Sequence, residues 1–312
     1  MSGIHILVGC GGWHYFKVLN EDPLKMYSLA FKFVEVNSTF YTLPSLETIV
    51  SWRKRVPLDF EFTVKANRII THLEALRLTN TTLKALEEML KICKTLNSKV
   101  LVLETPKNLD LQYILQNLKS ILGEVKFNEV RLALEPRCGW YSDSNVSLDE
   151  FQSMGIIPIT DYSREEPPYD DEEISYSRLF GLGEHNIYQF TDEDLKLIKE
   201  RADRRKSKKV YLSFHGISMY LDAARMEKFI KKGDLPPVTS SYGIDSLAEV
   251  LRDAVFPITK NELVKKHGWK LIDIDLKTRV PASVVLKQLR KESYRSINDV
   301  LAELRRRFET QE

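Results

Sequence analysis

The feature of this 312-residue sequence that most constrains its fold is a repeated unit: a short apolar, β-prone run ends on a polar residue and leads into a helical pattern. In residues 33–41, F-V-E-V-N-S-T-F-Y, three apolar side chains surround Glu35. This pattern predicts a strand that is buried on both faces. An ionised carboxylate is costly to bury without a partner, so Glu35 requires a cation, a metal or hydrogen-bond donors from other strands.

Seven further runs have the same character. The predicted strands are Ile4–Gly9, 33–36, Phe60–Ala66, Lys99–Glu104, Arg131–Arg137, Ile156–Asp161, Ser175–Gly181 and Lys209–Gly216. Helical patterns separate successive strands, and eight strands joined in this way predict an α/β fold, a (β/α)8 TIM barrel, rather than an open sheet. In such a barrel the side chains at the C-terminal ends of the strands meet at one rim, where active sites lie.

The end of the chain does not continue this pattern. Residues 235–243 contain Pro236 and Pro237 and predict a linker. Beyond the linker, Thr259 and Glu262 have the spacing of a capping box at the start of a helix. We therefore expect a barrel over residues 1–234 and a small C-terminal helical domain over residues 244–312.

Composition and charge limit the function only loosely. The net charge of +2 neither proposes nor excludes a nucleic-acid partner. Three cysteines without a C-x-x-C pair are too few for a disulfide framework or a zinc ribbon. No signal peptide is recognisable, and no apolar run approaches the ~18 residues of a membrane span. The sequence therefore predicts a soluble, cytoplasmic protein without membrane contact, and it leaves the oligomeric state open.

The predicted rim collects both acids and cations. The acids are Glu35, Glu104, Glu135 and Asp161, and the cations are Lys65, Arg137 and Arg178. Strands three, five and seven carry the cations, and alternate strands of a barrel contribute to the same side-chain layer. We therefore expect the cations to converge at one depth, separate from most of the acids, and to bind a phosphate-like anion.

Glu35 and Lys65 end neighbouring strands, so we expect them to pair directly or to share one ligand. A purely structural buried ion pair is the alternative. Glu104, Asp161 and His215 have the oxygen and imidazole character of a divalent metal site. With six histidines in the chain, a zinc cluster built on many histidines is not expected. The cofactor stays unknown, with a divalent metal ion as the candidate.

Aromatic and amide side chains fall just beyond the strand ends. Trp13, Tyr41 and Trp140 are placed to stack on a base or a sugar, or else to close the barrel mouth. Asn37 and His72 lie in the same loops and are candidates for substrate contact.

Several motifs occur together in a fixed order. They are V-G-C-G-G-W, F-V-E-V-N-S-T-F-Y-T-L-P, F-T-V-K-A, L-E-P-R and S-R-L-F-G. With these motifs the chain resembles the YecE-like family over about residues 4–232. The resemblance implies a TIM barrel whose activity is not established, and a likeness in outline to endonuclease IV-type barrels implies a nucleic-acid function only by analogy.

Departures from the family pattern fall at the rim. This chain has Glu104 where the family often has Gln, Phe180 where it often has His, and His215 where it often has Asn. Cys138 stands at a further histidine position. These changes indicate that a family-wide activity need not transfer to this chain. Residues 256–263 are similar to a small helical module built on F-P-x-T-K-x-E-L, also of unknown function.

We expect a hydrolase or lyase that acts on a phosphate-containing substrate, nucleic acid included. The candidate catalytic residues are Glu35, Lys65, Glu135 and Asp161, and the candidate substrate-binding residues are Trp13, Asn37, Tyr41, His72, Arg137, Trp140, Arg178 and His215. Two alternatives stay open. One is a non-catalytic nucleic-acid-associated binding protein, and the other is a barrel enzyme for a small phosphorylated or acidic metabolite.

Overall fold

A computed structural model describes residues 4–184 and 186–308. Eight parallel strands pair in chain order, and the last pairs with the first, which closes a barrel. They are β1 His5–Cys10, β2 Phe33–Val36, β3 Glu61–Lys65, β4 Val100–Thr105, β5 Arg131–Pro136, β6 Ile157–Thr160, β7 Ile174–Leu179 and β8 Lys209–Phe214. The predicted (β/α)8 barrel is confirmed, and each strand end lies within two residues of its predicted position.

Helices follow the strands. They are α1 Pro23–Ala30, α2 Leu46–Lys54, α3 Asn80–Leu96, α4 Leu111–Glu124, α5 Leu148–Ser153, α6 Asp192–Asp203 and α7 Met219–Lys232. Side chains set several of the helix starts, because an oxygen that precedes the helix satisfies a free backbone N–H group. Asp22 accepts from the backbone of Lys25 at 2.8 Å, and Asp110 accepts from that of Tyr113 at 2.7 Å.

The barrel interior is apolar over most of its height. The buried cluster there consists of Leu7, Phe33, Val100, Val102, Ala133, Ile157, Ile159, Ile174, Tyr176 and Tyr211. Because side chains alternate along a strand, the next inward residue lies two positions further on. On β2 that residue is Glu35, and on β4 it is Glu104. The strand period therefore places polar side chains directly above the apolar interior, at the C-terminal end.

The chain divides into two compact units, Met1–Leu179 with Ile198–His215 and Phe180–Leu197 with Gly216–Glu312. The first contains all eight strands of the barrel. The linker expected at residues 235–243 stays a prediction, which limited proteolysis would check. Among the described residues, no helix is long and apolar enough to cross a membrane.

The C-terminal segment of the second unit combines short helices with two small antiparallel ladders. Its elements are α8 Gly243–Val250, β9 Ile258–Thr259, α9 Lys260–His267, β10 Leu271–Asp273, β11 Arg279–Pro281, α10 Ala282–Leu286, β12 Ser293–Tyr294 and α11 Ile297–Phe308. The ladders pair β9 with β12 and β10 with β11. The capping box predicted at Thr259 and Glu262 is present, and Leu263 and Leu286 belong to a buried core within this segment.

Candidate active site

Arg178 lies at the centre of the candidate site, near the end of β7, and is only 2% exposed. Its Nη2 lies 3.0 Å from Glu35 Oε1, and its Nη1 lies 2.6 Å from Glu104 Oε2 and also contacts Glu135. The Nε donates to Glu35 Oε2 at 3.2 Å. A guanidinium presents five N–H donors in a planar fork. One side chain can therefore hold carboxylates from three different strands.

These ion pairs keep the site charged in spite of its burial. Burial opposes ionisation of Glu35, but Arg178 and then His215 hold the pKa of this carboxyl far below its ordinary value. Burial likewise acts against Glu104, yet Arg178 and Lys65 lower its pKa to about 2. The pKa of Arg178 is raised well above its ordinary value, since Glu35 and the other carboxylates outweigh the cost of burial. At neutral pH all three groups are ionised.

Lys65 ends β3 and is the second buried cation of the site. Its Nζ lies 2.9 Å from Glu104 Oε2 and 4.2 Å from the centre of the Phe40 ring. The direct pair expected between Glu35 and Lys65 is replaced by a chain of contacts, in which Glu104 binds Lys65 and Arg178 binds both acids. Burial, and after it Arg178, lowers the pKa of Lys65, although Glu104 opposes the change.

His215 follows β8 and is buried against Glu35. Its Nε2 lies 3.4 Å from Glu35 Oε2 and 3.0 Å from Ser213 Oγ, and its Nδ1 lies 3.4 Å from Asn37 Nδ2. The amide of Asn37 is a donor towards Nδ1, which assigns the ring proton to Nε2 on the side of Glu35. Burial lowers the pKa of His215 in spite of the adjacent carboxylate, so the imidazole is neutral at neutral pH.

Gly11 makes room for this histidine. A Cβ atom at position 11 would lie 2.3 Å from two atoms of the His215 ring and 2.8 Å from Asn37 Nδ2. A glycine after β1 is therefore a steric requirement of the site.

Sequence reasoning missed the floor of the site. Tyr176 Oη donates to Glu35 Oε2 at 2.9 Å and lies 2.7 Å from Thr63 Oγ1. Tyr176 lies two positions before Arg178 on β7, and Thr63 lies two positions before Lys65 on β3. Because side chains alternate along a strand, each faces the barrel interior as its rim residue does. The strand period was the signal that could have identified them.

Asp161 does not join the network through its described contacts. Its Oδ1 accepts from the backbone and the hydroxyl of Ser163 at 2.9 and 2.6 Å, and its Oδ2 lies 3.6 Å from Arg164. The carboxylate thus shapes the turn after β6, as Asp side chains commonly do.

The predicted metal site of Glu104, Asp161 and His215 is not assembled. Glu104 is engaged with Lys65 and Arg178, whereas Asp161 is engaged in its own loop. Within residues 4–184 and 186–308, no three His, Cys, Asp or Glu side chains are grouped closely enough to hold a metal ion.

The aromatic candidates differ in their surroundings. Trp140 is buried and donates from Nε1 to the carbonyl of Ile159 at 2.9 Å. Trp13 is also buried, and its ring packs edge-on against that of Trp52 with the two ring centres 5.0 Å apart. Both environments favour the alternative of barrel closure over stacking on a substrate. Tyr41 is 72% exposed, so its ring is accessible.

His72 lies in a π-helical turn, Ile69–Leu73, that follows β3. Its Nδ1 lies 2.9 Å from Thr71 Oγ1. Its ring packs edge-on against that of Phe40, with the two ring centres 5.0 Å apart. Phe40 in turn contacts the ammonium of Lys65. The half-buried imidazole and the ammonium of Lys65 thus contact the same aromatic ring.

The expectation of cations separated from acids is wrong. Lys65 pairs with Glu104, Arg178 pairs with three acids, and Arg137 Nη1 lies 3.1 Å from Glu135 Oε1. Long side chains reach across neighbouring layers, so the layer of the Cα atom does not fix the depth of the charge. Each predicted anion-binding cation therefore already meets a carboxylate.

The sequence matches the family described as "Protein of unknown function DUF72" over residues 7–239, and the chain belongs to this family. It is similar to the UPF0759 protein YecE of Escherichia coli (strain K12), with 36% identity over 74 residues, or 23% of this chain and 27% of that protein. The match thus spans about a quarter of the curated relative. The resemblance to the YecE-like family is confirmed.

Two solved structures share the barrel. A DUF72 family protein from Thermotoga maritima MSB8 aligns with a TM-score of 0.59 and 22% identity, over 73% of this chain and 100% of that chain. A DUF72 family protein from Enterococcus faecalis V583 aligns with a TM-score of 0.59 and 17% identity, over 74% of this chain and 99% of that chain. At these identities the likeness establishes the fold and leaves the activity to be argued from the site.

Proposed function

We propose that this member of the DUF72 family is a hydrolase or lyase that performs acid–base chemistry on a small polar metabolite at the C-terminal mouth of its barrel. One observation carries the proposal. The buried ammonium of Lys65 shares a single carboxylate oxygen of Glu104 with Arg178, at 2.9 and 2.6 Å. A shared anion holds the proton of Lys65 less firmly than an exclusive partner would. Catalytic groups of TIM-barrel enzymes lie at this end of the strands.

The roles of the neighbouring groups follow from their contacts. Arg178 touches three carboxylates and so acts as a positioning residue that fixes them around the mouth. Lys65, whose pKa is lowered by burial and then by Arg178, gives up its proton more readily than an exposed lysine and is the group suited to acid–base exchange. The neutral imidazoles of His72 and His215 are further acceptors of the kind that general acid–base catalysis uses.

The pairing of the cations bears on the substrate class. Glu35, Glu104 and Glu135 balance Lys65, Arg137 and Arg178, three charges against three. An added phosphate would have to compete with a carboxylate for each of these cations. The balance therefore favours a small uncharged or weakly acidic metabolite over a phosphodiester. In a crystal soaked in sulfate or phosphate, an anion on at least two of the three cations would instead support a phosphate-containing substrate.

The test uses the purified full chain. It is incubated in D2O with a deproteinised extract of bacterial metabolites, and mass spectrometry identifies any compound that is consumed or gains deuterium. We expect turnover with the natural chain and loss of turnover with Glu104→Gln and Lys65→Met. Lys99→Met is the matched control, because Lys99 is an exposed lysine at the opposite end of the barrel, where it pairs with Glu129. An extract that all four proteins leave unchanged would contradict the proposal.

A further inference from the structure

We infer that Lys65 forms a Schiff base with its substrate, so that the metabolite is an aldehyde or a ketone. The inference rests on the proposed function, because it assigns a covalent step to the same site. Its starting point is the placement of Lys65, which is the only buried lysine among the described residues. A desolvated lysine beside a second cation is the arrangement that activates an amine as a nucleophile.

The surroundings of Lys65 match this requirement. The side chain is 7% exposed, and Nζ lies over the face of Phe40 at 4.2 Å. The other side of the amine faces Glu104, whose Oε2 also binds Arg178. An apolar face, a carboxylate and a fixed cation thus surround one nitrogen. By contrast, Lys99 and Lys119 pair with carboxylates at the protein surface, with about half of each side chain exposed.

The network lets Lys65 become neutral without leaving a buried acid unpaired. If Lys65 loses its proton, Glu104 keeps its contact with Arg178 at 2.6 Å. Arg178 cannot release a proton at physiological pH, because a guanidinium stays charged there. Of the two buried cations, Lys65 is therefore the one that can change its charge. The direction of its pKa, lowered by burial and then by Arg178, agrees with this assignment.

The covalent step balances without a further reagent. The neutral Nζ attacks the carbonyl carbon, a C–N bond forms, and the π electrons of the C=O bond move to oxygen, which takes up the proton that the ammonium released. A second N–H proton then leaves with that oxygen as water, and a protonated imine remains. Its positive charge lies where the ammonium was, opposite Glu104. The ion pair that stabilises the resting site thus also stabilises the intermediate.

The iminium would serve a lyase directly. It withdraws electrons from the neighbouring carbon, which favours cleavage of a bond to that carbon or loss of a proton from it. The neutral imidazole of His72, which meets the same Phe40 ring, is placed to take such a proton. The inference thus narrows the proposed function from acid–base chemistry in general to chemistry beside a carbonyl group.

Reductive trapping tests the inference. The full chain is incubated separately with pyruvate, glycolaldehyde and dihydroxyacetone, each with sodium borohydride, and the modified lysines are located by peptide mass spectrometry. A lowered pKa makes the free amine more abundant at neutral pH. We expect Lys65 to be labelled severalfold faster than any exposed lysine, and the label to stay at Lys65 in Lys99→Arg. Lys65→Arg should remove this fast label.

Mapping on the natural chain keeps the test valid even if Lys65→Arg fails to fold. Labelling of Lys65 at or below the rate of the exposed lysines with all three probes would overturn the inference. If metabolite turnover nevertheless depends on Glu104, the proposed function stands and only the Schiff base falls. Lys65 could instead be labelled fast while the natural chain and all variants leave the metabolite extract unchanged. The amine is then activated as inferred, and the wider proposal of acid–base turnover falls.

Discussion

The N-terminal and C-terminal ends of the barrel interior each combine a glutamate with a tyrosine and a cation, but they bury these side chains to different extents. At the N-terminal end, Glu61 accepts from Tyr211 and lies 2.6 Å from Lys209, and both charged side chains are about 30% exposed. At the C-terminal end, Glu35 accepts from Tyr176 and pairs with Arg178, and both charged side chains are almost fully buried.

The difference lies in the charge balance and the burial. One acid meets one cation at the N-terminal end, whereas a single guanidinium holds three acids at the C-terminal end. Burying ion pairs contributes little net stability compared with apolar packing. The C-terminal network is therefore the costlier of the two to bury, as expected if it serves the proposed chemistry rather than stability.

Removal of Arg178 should produce the largest effect. Arg178→Met leaves three carboxylates without their shared cation, and losing one partner of a buried pair costs about 3–5 kcal/mol of unfolding free energy. Lys209→Met at the other end should cost less than about 1 kcal/mol, because that pair is partly in water. Urea unfolding of both variants measures the difference. Equal losses would remove the distinction between the two ends.

Acid should weaken the C-terminal network specifically. The pKa of Glu104 is about 2 in the folded protein against 4.5 ordinarily, so the unfolded chain binds its proton first as the pH falls. The contribution of this group is complete above about pH 4.5 and is lost between there and about pH 2. The lowered pKa of His215 acts in the same direction below its ordinary value of 6.5.

Arg178→Met should therefore lose part of this acid dependence. The stability gap between the natural chain and Arg178→Met should be widest near neutral pH and should narrow below about pH 4.5. Urea unfolding at several pH values measures the gap. A gap that does not change with pH would mean that the carboxylates are not held ionised by Arg178.

The two tyrosines offer a matched pair of smaller substitutions. Tyr176→Phe removes a donor to buried Glu35, and hydrogen bonds to charged groups contribute about 1.5–3 kcal/mol. Tyr211→Phe removes the equivalent donor to Glu61, whose carboxylate reaches water, so we expect a loss below about 1 kcal/mol. Thermal or urea unfolding compares them. A larger loss for Tyr211→Phe would reverse the ranking of the two ends.

Gly11→Ala should disturb only the C-terminal end. The added methyl group would overlap the ring of His215, and overpacking costs about 1–3 kcal/mol at most sites. The imidazole signals of His215 in NMR spectra should shift as the ring moves away from Glu35. Gly123→Ala is the control, since nothing lies within 4 Å of the added Cβ atom. Unchanged His215 signals in Gly11→Ala would contradict the described packing.

Local pattern determined much of this protein. Short apolar runs that end on Glu35, Lys65, Glu104 and Arg178 predicted eight strands and a polar rim, because strand burial and the two-residue period are properties of the chain itself. The same period places Tyr176 and Thr63 one inward step below that rim. The family motifs are continuous segments on these strands and loops, and continuous segments can be recognised without a structure.

Only the tertiary structure decided which rim residues meet. Lys65 pairs with Glu104 instead of Glu35, and Asp161 turns into its own loop. Strand pattern fixes the face on which a side chain starts. The final position of the charged group depends on two further things. A long side chain can reach across a closed barrel, and several acids compete for one guanidinium. Those lateral distances exist only once β8 has paired with β1, so no segment of the sequence contains them.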